Sequence, residues 1–160
     1  MEFIARNFKS DIISEMLSRE LKDTHNGHKY QNIAYIAKFN RLDLLQILYQ
    51  TTDEFTGITC VVDLASRYGN LEVVEYLIRM GAQCTCEAID WSARNGLLEI
   101  VKFLAFQNCS CDRGLYFATI NGHLEIVKFL YEHELGLKRL KDAVSCASRS
   151  GYTDILAILK

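Results

Sequence analysis

One phrase recurs along the chain and constrains its fold more than any other feature. It is a short run of small residues, a glycine or asparagine, then a leucine and an acid leading into apolar residues. Its fullest form spans Ala118 to Leu130. There the apolar residues at 124, 127 and 130, flanked by 126 and 129, make a wide stripe at helical spacing. Leu115, Ala118 and Thr119 supply a preceding short helix whose small inner face permits close approach. Gly122 stands where the chain must reverse, and a residue without Cβ adopts the left-handed conformation at little cost. Glu125 falls in the first turn of the second helix, where the positive end of the dipole favours a carboxylate.

Aligned on that turn, five registers appear: Asn40-Arg41-Leu42-Asp43, Gly69-Asn70-Leu71-Glu72, Gly96-Leu97-Leu98-Glu99, Gly122-His123-Leu124-Glu125 and Gly151-Tyr152-Thr153-Asp154, at steps of 29, 27, 26 and 29 residues. Self-similarity at such a period predicts an all-α solenoid, in which no unit buries its apolar face alone. The helix-turn-helix units fall at about 30–49, 60–79, 87–106, 113–132 and 142–160. Ile33, Val62, Ile89, Leu115 and Val144 form one expected inward column, and Leu45, Val74, Val101, Val127 and Leu156 another.

Residues 1–29 lack the repeat. Ser10-Asp11 reads as a helix start, with Ile12, Ile13, Met16, Leu17 and Leu21 on one face. This helix is expected to cap the first unit's apolar edge; the alternative is a docking helix for a partner.

With 49% apolar residues among 160, the chain can build one ample core. Its formal net charge of -2 gives no general pull toward nucleic acid or anionic lipid. No run of about 18 apolar residues exists to span a membrane, and the first residues do not form a secretory signal. The six cysteines are therefore expected to be reduced thiols in a cytoplasmic setting. The absence of proline suits a mostly helical chain.

These registers resemble ankyrin repeats over about residues 30–160. The residues that carry the resemblance are Ala65-Ser66-Arg67-Tyr68-Gly69-Asn70-Leu71-Glu72-Val73-Val74, the phrase from Gly122 to Leu130, and Met80-Gly81-Ala82 after a second helix. The family's threonine-proline-leucine-histidine start is absent, and the steps fall short of the usual 33 or so. The missing residues come from connections such as Gly81-Ala82-Gln83-Cys84-Thr85, where the family carries a β-hairpin finger. Short, proline-poor units with cysteine after the second helix are most similar to the ankyrin repeats of giant DNA viruses and some protists. The resemblance implies a non-catalytic protein–protein interaction module that binds on its concave face. In a viral setting it implies a host-interaction protein of the cytosol or the virion.

The residue two before each turn anchor is Lys38, Arg67, Arg94, Ile120 or Arg149, and the residue one before is Phe39, Tyr68, Asn95, Asn121 or Ser150. Equivalent positions in a stacked array form a ladder. Four cations in five units, beside Phe39 and Tyr68, would suit an acidic segment of a partner, since arginine and aromatic residues are enriched at interface hot spots. Trp91 lies on a first helix and reads either as packing or as part of this surface. The competing reading is ordinary helix-surface charge: Asp63 to Arg67 and Asp90 to Arg94 stand at i, i+4 and would partly cancel the stripe.

Other chemistry is set aside. Cys84-x-Cys86 and Cys109-x-Cys111 lie 25 residues apart, so stacking could gather four thiols. Yet C-x-C is not the common zinc spacing, and cysteines also fill tight junctions as small apolar groups. His25, His28, His123 and His133 have no companion at a catalytic spacing, and no phosphate-binding or nucleophile-elbow motif occurs. Neither catalysis nor a cofactor nor a metal is expected. The last helix, Asp154 to Lys160, has almost no polar face. This motivates a second reading, a structural or self-associating subunit that uses the apolar C-terminal edge.

Overall fold

The computed structural model describes residues 36–51 and 59–160. The expected capping helix, Ile33, His25 and His28 lie outside the described residues.

The described chain is an all-α helical solenoid. It opens with a helical stretch at 36–38 and continues into α1 (Leu42–Thr51). Then come α2 (Thr59–Tyr68) and α3 (Leu71–Arg79), α4 (Cys86–Arg94) and α5 (Leu98–Phe106), α6 (Gly114–Ile120) and α7 (Leu124–Glu132). A 3₁₀ turn, Leu137–Arg139, leads into α8 (Leu140–Ser150) and α9 (Thr153–Leu159). The first helices α2, α4, α6 and α8 stack in one layer, and the second helices α3, α5, α7 and α9 stack in another. Among the described residues there is no strand, so the described connections carry no β-hairpin finger. None of the described helices is long and apolar enough to cross a membrane.

Each first helix ends in the same way. All five anchors are left-handed, with φ of 84° at Gly69, 77° at Gly96, 72° at Gly122 and Gly151, and 53° at Asn40. The N–H after each anchor returns to a carbonyl five residues back: Arg41 to Ile36, Asn70 to Ala65, Leu97 to Ser92, His123 to Ala118 and Tyr152 to Ala147, at 2.9–3.2 Å. This is the glycine-type C-cap that satisfies otherwise orphaned carbonyls. In four of the five units the carbonyl-bearing residue is small, and Ala65, Ser92, Ala118 and Ala147 are fully buried where the layers meet.

The inward columns hold through the middle of the array. Val62, Ile89 and Leu115 are fully buried, as are Leu45, Val74, Val101 and Val127. In the last pair the expectation fails: Val144 and Leu156 are only half-buried. There Ala143, Ala147, Ile155 and Leu159 take the core positions instead. α9 turns Ile155 and Leu159 onto the array, where it packs on α7 and α8, and leaves Leu156 and Ile158 half-buried and Ala157 exposed.

Candidate functional site

The C-terminal ends of the first helices bring the sequence candidates into one line. Lys38 Nζ lies 5.2 Å from the Phe39 ring centroid and 5.6 Å from that of Tyr68. The Arg67 guanidinium carbon is 5.9 Å from Tyr68 and 4.3 Å from Trp91. Arg94 is 5.2 Å from Trp91 and 5.8 Å from Phe117. Each distance is within the range in which a ring's negative face attracts a cation. The result is an alternating row, Phe39, Lys38, Tyr68, Arg67, Trp91, Arg94, Phe117. Lys38, Arg67 and Arg94 are exposed, and Tyr68 keeps 43% of its surface. Trp91, left open between packing and surface, does both: it is half-buried, and two guanidiniums lie within 5.2 Å of its ring.

The expected cancelling pairs do not form. Asp63 turns to the next unit, where its carboxylate accepts from the Thr85 N–H at 3.2 Å and from the Thr85 hydroxyl at 2.8 Å. Asp90 does the same one unit on, accepting from the Arg113 N–H at 2.9 Å and Arg113 Nε at 3.2 Å. Both acids clasp the start of the following first helix, so neither is free for the arginine four residues later. Burial pushes both carboxyls above their usual range, against the lowering effect of those bonds. Among the described residues no carboxylate pairs with Lys38, Arg67 or Arg94.

The backbone beneath the row is fixed by the next turn along. Asn70 Nδ2 donates to Lys38 O at 3.1 Å, Asn95 Nδ2 to Arg67 O at 2.8 Å, and His123 Nε2 reaches Arg94 O at 3.0 Å. Since a carbonyl can only accept, Nε2 carries the proton there. Asn95 is thereby committed within the array, as is Asn121, whose amide donates to Phe117 O at 2.8 Å. Ile120 takes the cation's place in its unit and interrupts the row, and Arg149, exposed in the next unit, stands apart from it. Phe117 was missed by sequence reading. The signal was present, because it stands 26 residues after Trp91, as Gly122 stands after Gly96.

The cysteines require a correction. Cys84 and Cys109 form a disulfide, with Cα atoms 5.9 Å apart, rather than two reduced thiols. A separation of about one repeat step places equivalent connections side by side, within the span a disulfide needs. Such a bridge corrects the expectation of reduced thiols at these two positions. Cys86, Cys111 and Cys146 are free. Burial, with the nearby Asp90 charge, pushes the Cys111 thiol up to about 12. Among the described residues no three His, Cys, Asp or Glu side chains converge as metal ligands. Of the histidines, His123 braces the Arg94 carbonyl, and His133 stacks on Phe129 with ring centroids 4.3 Å apart.

No curated protein matches the chain. A family model described as ankyrin repeats in three copies matches residues 33–114 and, in a second register, 89–160. With the left-handed turns, the two stacked layers and the inter-unit clasps already in place, this match establishes that the chain belongs to the ankyrin-repeat family.

Proposed function

We propose that this chain is a non-catalytic recognition module that holds a partner protein on its concave face, with the row from Lys38 to Phe117 as the contact surface and an acidic segment as its target. Ankyrin repeats are generally protein–protein interaction modules and are typically not enzymes. The observation that carries the finer reading is the row of three exposed cations held between aromatic rings with no carboxylate partner among the described residues. A guanidinium stacked on a ring keeps its N–H edge free, so its fork is ordered in advance for a carboxylate. The diversion of Asp63 and Asp90 supports this, because it leaves the surface charge uncancelled. In the viral setting that the short repeats suggest, the partner would be a host protein, met in the cytosol or carried in the virion.

Affinity capture from lysate of the source cell, or of its host, tests the reading. Wild type is compared with Arg67→Glu/Arg94→Glu after circular dichroism has established equal helicity. A partner held by wild type and lost by the variant is expected. A partner held equally by both would move the site elsewhere. Recovery of the chain alone would favour self-association through the half-buried Leu156 and Ile158.

A further inference from the structure

Resting on that reading, we infer that the partner segment is an acidic polyproline II stretch with a carboxylate at every third residue, read by Lys38, Arg67 and Arg94. The three cations occupy one register in three successive units, each separated from the next by a single ring: Tyr68 between Lys38 and Arg67, Trp91 between Arg67 and Arg94. Helices packed side by side lie about 8–10 Å apart, so equivalent positions on successive first helices repeat at about that interval. A β-strand rising about 3.3 Å per residue would point every third side chain to the opposite face. A polyproline II helix has three residues per turn and rises about 3.1 Å per residue, so every third side chain faces the same way about 9 Å on. That matches one carboxylate per unit.

The residues between the carboxylates then meet the rings. Proline-rich segments in this conformation dock on aromatic-lined grooves because they have little conformational freedom left to lose. Tyr68 and Trp91 offer such faces between the cations. Trp91 also places two guanidiniums about one ring with no anion between them, so a carboxylate arriving there removes a like-charge repulsion. A long polyanion such as single-stranded nucleic acid could also use rings and cations, but the chain's net charge of -2 opposes it.

Trp91 is the only tryptophan in the chain, so its emission reports on this site alone. Fluorescein-labelled peptides of one length are titrated into the full chain, read by anisotropy and by Trp91 emission. One peptide carries glutamate at every third position with proline between, and one carries the same glutamates contiguously. A third peptide, alanine-rich and helical, carries glutamate at every seventh position, and an oligothymidylate serves as the polyanion. The every-third peptide is expected to bind about tenfold more tightly than the contiguous one and to change Trp91 emission. Arg67→Gln and Arg94→Gln, with circular dichroism unchanged, should each weaken it about tenfold. Equal affinity for the every-third and contiguous peptides overturns the register while leaving an acidic partner standing. Tighter binding of the helical peptide or the oligothymidylate overturns the conformation or the class of partner. Binding without a change at Trp91 overturns the location, and no binding by any acidic peptide overturns the reading beneath it.

Discussion

Asp90 keeps only 1% of its surface yet accepts two bonds from Arg113, one from backbone and one from guanidinium. Burial outweighs those bonds and holds its carboxyl above the ordinary 3.8, and Asp63 is shifted the same way. The native state therefore binds this proton more tightly than the unfolded chain does. That contribution to stability is present at low pH and is lost as pH rises through the folded value. Asp90→Asn never charges and should lack the term. Urea midpoints measured from neutral pH down to just above 3.8 should show wild type gaining on the variant as the pH falls. A pH-independent difference would refute the assignment. The same clasp explains why Arg67 and Arg94 keep their charge for a ligand: their nominal partners each serve the next helix.

The turns and junctions decide how well each pair of helices holds its neighbour. Gly96 is left-handed, and a Cβ there would meet His123 Cε1 at 2.8 Å. Gly96→Ala thus combines backbone strain with displacement of the ring that braces the Arg94 carbonyl. A loss of about 1–3 kcal/mol is expected by urea unfolding, with weaker peptide binding alongside. The disulfide joins the connection before α4 to the connection after α5 across a sequence separation of 25. Constraining such a loop in the unfolded chain stabilises by about 3 kcal/mol. Cys84→Ser should lower the melting temperature, and a reductant should bring wild type down to the same value; an unchanged melt under reductant would contradict the bridge. Burial and the Asp90 charge keep Cys111 a thiol at neutral pH. Gly81 ends α3 in the left-handed conformation its sequence suggests, whereas Asn108 and Glu134 take that conformation after α5 and α7 without being glycine.

Across the array, stability is a sum of weak units and the interfaces between them. Leu104 is fully buried in α5, which packs on α3 and α7 as well as on its own first helix. Leu104→Ala should cost about 2–5 kcal/mol. Hydrogen exchange should show protection lost in α3 and α7 along with α5; a loss confined to α5 would contradict the coupling between units. The period of 26 to 29 residues, the apolar stripes and the glycine anchors determined the all-α solenoid by themselves. They did so because each is a local demand: a helical face to bury, a turn that only a left-handed residue can make. The column of cations, with Phe39 and Tyr68 beside it, was legible too, since equal register in a repeat means proximity in space. What only the tertiary structure decided was where each polar side chain spends its bonds. Asp63 and Asp90 could have reached an arginine one turn on, but the following unit offers a helix start with unpaired N–H groups, and its burial favours that partner. Cys84 and Cys109 pair, and Arg67 meets the Trp91 ring, only because stacking brings separate units within a few ångströms. Distances between units are set by how the layers pack, and no residue's neighbours in sequence encode them.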